Sequence, residues 1–152
     1  YYQQNDMLKG DAEALITEMK PWYDNYCFAR ESLGDDRIFN CDMTLYYLRW
    51  QVDFHCSPGE MADKNIRTDY SKLKMPTRID RDSVQEENRM GTIEEIAAKG
   101  EILVDLHTSF PAEWVTDIDN FRSLLYYYSL LTMCGTRGDR LRMCIPNNCV
   151  RE

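Results

Sequence analysis

Apolar positions fall into helical stripes over the first two thirds of the chain and shift towards alternation over the last third. Residues 11–20 read DAEALITEMK, a short helix with Asp11 as N-cap, Leu15 and Met19 on one stripe and Pro21 as the stop. The stretch Trp22-Tyr23-Asp24-Asn25-Tyr26-Cys27-Phe28 then spaces two aromatics two apart. It predicts an extended segment with Tyr26 and Phe28 on one face, forming an aromatic clamp in the core. Asp24-Asn25 suits a turn or a left-handed residue. Asp42 is the expected cap of a helix through Phe54, with Leu45, Leu48 and Val52 at helical spacing and Trp50 on another side. Ser57-Pro58-Gly59-Glu60 reads as a capping box opening a second, brief helix, which leaves His55 in a linker. One more turn is expected at 68–74, broken by Met75-Pro76. The hydrophilic run 80–89 is expected to be a solvated loop or exposed helix and the boundary between two lobes.

A further capping box, Thr92-Ile93-Glu94-Glu95, is expected to start a helix that Gly100 closes. Residues 101–107, EILVDLH, alternate as a strand, which would put Asp105 and His107 on the same face. Asp117 or Asp119 then caps a helix whose buried stripe is expected to be Phe121, Leu124, Leu125 and Tyr128. Two strands come next, 130–134 and 140–145, joined across Gly138-Asp139. A two-residue loop sets Cys134 opposite Met143 and Thr132 opposite Ile145. Leu130, Leu141, Met143 and Ile145 then face inward, while Arg137 and Arg142 face water or a partner. Pro146 ends the second strand and Asn147 caps the segment after it. A strand completing a hairpin into a three-stranded sheet packed on helices is the winged-helix arrangement. The predicted fold is therefore mainly α with a small β-sheet, a helical lobe (1–80) followed by a winged-helix-like lobe (81–152) that ends in a β-hairpin. One compact domain is the alternative.

Composition agrees with a folded chain: 43% hydrophobic and 12% aromatic over 152 residues is enough to build a core. The net charge of -8 comes from 26 acidic and 18 basic residues, with no basic cluster. A duplex is gripped through a basic face, so the charge disfavours direct nucleic-acid contact and favours basic protein surfaces as partners. The helix before the hairpin offers a single Arg122 among acids, a poor match to phosphates or guanine edges. No apolar run reaches the length of a membrane span, and no signal segment opens the chain, so a soluble, cytoplasmic protein is expected. The six cysteines are scattered, and reduced thiols are expected of them.

Candidate chemistry is sparse. Asp105 and His107 are the nearest approach to a catalytic pair, but no nucleophile or third partner lies near them in sequence. Gly34-Asp35-Asp36 lacks a convergent partner for a metal, and His55 lacks the further ligands that zinc needs. Asp24 is the sharper candidate for binding, although such residues usually cap turns. No metal site and no catalytic set is assigned.

Four motifs together carry a resemblance. Trp22-Tyr23-Asp24-Asn25-Tyr26-Cys27-Phe28 resembles the W-Y-D-G-Y-x-F signature of the AAA-ATPase-like family common in gut Bacteroides-type bacteria. Phe39-Asn40-Cys41 sits where that family has Y-N-P before a helix. The run Leu124-Leu125-Tyr126-Tyr127-Tyr128-Ser129-Leu130-Leu131-Thr132 resembles its L-L-Y-Y-x-G-Y-L-T, and Ile145-Pro146-Asn147-Asn148-Cys149-Val150 its I-P-N-x-E-V. Order and spacing match, so the similarity spans nearly the whole chain. The departures are Asn25 and Ser129 for Gly and Cys41 for Pro, and Ser129 calls into question how sharply the chain bends from helix to strand.

The resemblance implies a region between a P-loop ATPase core and a PD-(D/E)XK nuclease-like domain, a helical lid-like part plus a winged-helix-like end. ATP and Mg belong to the core, and the family's catalytic residues have no positions here. This chain, which opens without Met and closes as a helix begins, reads as a fragment of such a parent. Three functions compete. The first is a non-catalytic regulatory module coupling the ATPase core to the nuclease-like domain, with those domains as its partners. The second is a nucleic-acid-binding winged helix of a nuclease-associated ATPase, and the third a hydrolase using Asp105 and His107.

Overall fold

The computed structural model describes residues 11–63, 83–111, 114–115 and 117–151, with the backbone alone for 83–89. The first ten residues, the turn expected at 68–74, the break at Met75-Pro76 and the expected lobe boundary at 80/81 lie outside the described residues.

Asp11 caps α1 (Ala12–Tyr23), its carboxylate accepting from the Glu13 N–H. Pro21 does not stop this helix but sits in its last turn. A proline there removes one helical hydrogen bond near the end, and the helix runs on because Tyr23 is drawn into the core, fully buried. The extended Asp24 then closes it, its N–H bonded to the Lys20 carbonyl. A short 3₁₀ turn (Arg30–Ser32) leads towards α2 (Cys41–Phe54).

The cap of α2 is Asn40 rather than the expected Asp42: the Asn40 side chain accepts from the Met43 N–H, and Asp42 lies inside the first turn. The buried row of α2 is Met43, Tyr47 and Gln51, while Leu45, expected inside, is 57% exposed. A polar network makes this possible. The Tyr47 hydroxyl donates to Glu18 Oε2 at 2.7 Å, and Gln51 Nε2 donates to Tyr47 at 3.2 Å. A buried tyrosine with a satisfied hydroxyl brings more apolar surface into the core than a leucine does. No helix forms over 57–63. The Ser57 hydroxyl that would have capped one lies instead 3.2 Å from the Tyr47 hydroxyl. His55 ends α2 in a left-handed conformation, φ 55°.

A long helix, α3 (Ser83–Lys99), takes up most of the hydrophilic run and continues through Thr92. Thr92 is therefore not a helix start: it lies mid-helix, 1% exposed, with the Arg122 guanidinium against its hydroxyl. Gly100 does end the helix, at φ 76°, donating to the Ile96 carbonyl. Strand β1 (Glu101–Val104), α4 (Ile118–Tyr127), β2 (Thr132–Arg137), β3 (Arg140–Cys144) and α5 (Asn148–Arg151) complete the described chain. Asp117 caps α4 by accepting from the N–H groups of Asp119 and Asn120. The α4 stripe differs from expectation at its end. Tyr126 is buried, whereas Tyr128 is the C-cap residue and 47% exposed.

The three strands form one antiparallel sheet in the order β1-β3-β2, so the fold is mainly α with a small sheet, as the sequence predicts. Gly138-Asp139 makes the hairpin turn, with Arg137 opposite Arg140. The expected register holds to Gly135, opposite Arg142, and then slips: Met133 opposes Met143 and Thr132 opposes Cys144. The irregularity is a bulge at Cys134. One extra residue there re-aims β2, so Met133 and Met143 both end up buried.

One core packs Ile102, Val104, Met133, Leu141 and Met143 of the sheet against Ile96 of α3 and Phe121, Leu125 and Tyr126 of α4, with Cys27 entering from the first half. Leu130 and Ile145 pack at its border. The other core joins Leu15, Met19 and Tyr23 of α1 to Met43 and Tyr47 of α2 and takes Cys149 from α5.

Candidate functional site

Several of the motif residues singled out in the sequence converge on one seam between the first half of the chain and the hairpin. Asn25 is left-handed, φ 82°, which turns its amide onto the Pro146 carbonyl at 2.8 Å. Asn147 returns the contact, donating from Nδ2 to the Asp24 carbonyl at 3.0 Å while its Oδ1 caps α5 through the Val150 N–H. Thr132 sits opposite Cys27. Its hydroxyl accepts from the Cys27 N–H at 2.7 Å and reaches the Cys27 carbonyl at 3.3 Å, and the Met133 N–H bonds to that same carbonyl. Arg37, which no sequence motif points to, donates to the Met133 carbonyl. Residues around Cys27 thus cover the outer edge of β2, and an isolated bridge from Tyr26 to Ile38 braces them.

Two tyrosines clamp the bend between α4 and β2. The Tyr26 hydroxyl donates to the Ser129 carbonyl at 3.3 Å, and the Tyr126 hydroxyl donates to the Phe28 carbonyl at 2.7 Å. Burial pushes both phenols above their ordinary range. Tyr26 stacks on Phe28 with ring centroids 5.3 Å apart, as the alternation predicts, but Phe28 is 43% exposed and not in the core, tilting against Tyr126 at 6.1 Å. Ser129, at φ 59°, makes the sharp turn out of α4 although it is not glycine. Asn40 joins the cluster by donating its N–H to the Tyr23 carbonyl. Leu125 is buried beneath the seam, Leu124 and Trp22 are half-buried, and Tyr127 is 49% exposed. Asp24 is only 8% exposed and lies inside the seam, and its Oδ1 is buried without a hydrogen-bond partner among the described residues.

Asp105 and His107 are not brought together. β1 ends at Val104, before either residue, so they share no strand face. Asp105 pairs with Arg140, Oδ2 to Nε 3.1 Å, and Arg140 also reaches Asp119. His107 turns the other way: its Nδ1 lies 2.5 Å from Asn120 Oδ1, and its N–H donates to Ser123 Oγ. Asn120, 4% exposed, is held in turn by donating Nδ2 to the Trp114 carbonyl at 2.8 Å. His107, Asn120 and Trp114 line an open cleft of about 420 Å³ together with Ser109, Phe110, Pro111 and Asp117. Asn120 and Trp114 were not legible as partners of His107, because the loop between the strand and α4 sets that contact.

The basic residues of the hairpin are mostly neutralised. Arg142 forks onto the Glu101 carboxylate across the sheet, the pair holding that carboxyl below its usual range. Arg122, the one basic residue of α4, points inward with its side chain 11% exposed. It donates to the Leu103 carbonyl at 2.8 Å and pairs with Glu95 at 2.9 Å. None of the six cysteines forms a disulfide, and burial together with the neighbouring Cys134 thiol pushes Cys144 up to about 12. Among the described residues, no His, Cys, Asp and Glu side chains gather as a metal site, and no helix is long and apolar enough to cross a membrane. Asp35 and Asp36 are exposed. No known protein family, curated protein or solved structure matches the chain.

Proposed function

We propose that the chain is a non-catalytic regulatory module that couples an AAA-ATPase-like core to a nuclease-like domain and docks on both through protein surfaces. The observation that carries this reading is the seam: motifs far apart in sequence meet in one interlocked set of hydrogen bonds and rings. A joint of that kind transmits displacement between the parts it connects, because packed interfaces rearrange in discrete steps rather than deform smoothly.

Three local details support the family resemblance on physical grounds. Asn25 and Ser129, which stand where the family has glycine, both have positive φ, the conformation that glycine adopts at no cost. Cys41, which stands where the family has proline, is the first residue of α2 after the Asn40 cap, a position proline favours. ATP and Mg would belong to the core and not to this module. The alternative, a nucleic-acid-reading winged helix, needs free basic groups on α4 and the hairpin. The inward Arg122 and the paired Arg140 and Arg142 weigh against it.

Calorimetric titration with Mg-ATP, together with a phosphate-release assay, is expected to show neither binding nor turnover. Clear turnover by the purified chain would overturn the proposal. Titration with a DNA duplex at low salt separates the alternative. Tight binding that weakens steeply with salt favours a nucleic-acid reader, and its absence favours the protein-docking module.

A further inference from the structure

The cleft beside His107 is lined by a helix-capping carboxylate, an imidazole and an exposed indole, with the Ser109 hydroxyl beside them. Asp117 Oδ1 takes the N–H groups of Asp119 and Asn120, so the start of α4 offers the cleft a carboxylate rather than bare N–H groups. The Asn120 amide is spent on the Trp114 carbonyl, which leaves its Oδ1 towards the imidazole. With Asn120 Oδ1 as the acceptor, His107 Nδ1 carries a proton, and the neutral form of the ring then has its lone pair on Nε2. Trp114 lines the same cleft and is 62% exposed. An acidic chain thus sets a carboxylate, an oriented imidazole acceptor and an exposed indole around about 420 Å³, a volume within the ordinary range of ligand pockets.

We infer that this cleft receives the cationic side chain of a partner protein, a guanidinium or alkylammonium lying against Trp114 and donating to His107 Nε2 and Asp117. The carboxylate disfavours anions, and a purely apolar group would leave it without a partner. A planar guanidinium is the better fit, because it stacks on indole while its edge donates to two acceptors at once. The docking module proposed above does not depend on this cleft, nor does the cleft depend on the seam: its residues belong to the 107–120 stretch alone.

The test is an NMR titration of the whole ¹⁵N-labelled chain with N-acetyl-arginine methylamide, with the neutral citrulline analogue and N-acetyl-glutamate methylamide as controls. Saturable shifts confined to the Trp114 indole N–H, the His107 ring and the Asn120 side chain are expected with the arginine compound alone. Asp117→Asn keeps a good helix cap while removing the charge, and Trp114→Leu removes the ring. Each is expected to weaken binding about tenfold, the factor that corresponds to ~1–2 kcal/mol for a cation–π or charge contact, with the rest of the spectrum unchanged. Equal response to citrulline, binding of the glutamate compound, or no saturable shift would each overturn the assignment.

Discussion

Two residues of the seam share a backbone conformation but differ in what their side chains do there. Ser129 enters the seam through its backbone carbonyl, while the Asn25 side-chain amide reaches Pro146. A left-handed L-residue costs about 1–2 kcal/mol, and glycine gives back about 0.5–1 kcal/mol in unfolded-state entropy. Ser129→Gly is therefore expected to raise stability by about 0.5–1 kcal/mol. Asn25→Gly relieves less strain, since Asn tolerates this region, and it loses a hydrogen bond worth about 1 kcal/mol. It is expected to be neutral or destabilising. Urea unfolding of the two variants checks the contrast, and a shift of the same sign in both would show that strain, not the amide contact, governs the site. The Asn25 conformation was legible because Asp-Asn announces a turn. At Ser129 the sequence pointed the wrong way, since serine gives no sign of positive φ and only the position of the bend demands it.

Arg122 ties α4 to both α3 and β1. Its guanidinium satisfies the Leu103 carbonyl and the Glu95 carboxylate, and Lys99, then Arg122, hold the Glu95 carboxyl below its usual range. A depressed carboxylate contributes stability that is whole above its unfolded value, about 4.3, and is lost as pH falls through the lower folded one. The urea midpoint is expected to fall across that acid range in the native protein, and Glu95→Gln is expected to flatten that slope. Arg122→Met is expected to cost about 2–3 kcal/mol, because it strands a partly buried carbonyl and carboxylate. A cost below about 0.5 kcal/mol, the scale of exposed ion pairs, would mean the contact is only peripheral. This bond was hidden in the sequence, where a lone arginine among acids reads as a surface residue. The helix start at Asp11 was legible because one capping residue stood alone, the start at Asp117 only as one of two candidates with Asp119, and starts elsewhere were misread where polar residues competed. Asn40 outranked Asp42, and Thr92 belonged to a longer helix. The hairpin turn was legible from Gly138-Asp139, but its bulge was not, since an extra residue leaves no trace in alternation five residues long.

At the scale of the whole molecule, each half lends a residue to the other's core, Cys27 to the sheet and Cys149 to α1 and α2. Thr132 carries much of the joint, since its hydroxyl accepts from the buried Cys27 N–H. Thr132→Val keeps the shape and removes that acceptor, so a loss of about 1–3 kcal/mol is expected. Hydrogen exchange should show the Cys27 and Met133 amides opening earlier than those of α2. Unchanged exchange at both would mean the seam is held by its rings alone. The motifs flagged the residues of the seam, but the sequence could not show that they meet, because nothing local marks a contact between residues 105 apart. That separation also governs how the chain comes to be folded. The Asn147 to Asp24 bond spans 123 residues, and long closures are slow because their entropy is lost before their contacts form. During synthesis Tyr26 and Cys27 emerge from the ribosome long before Thr132 and Asn147. Until those arrive, the first half has no partner for its edge residues but water, and the joint is expected to close late.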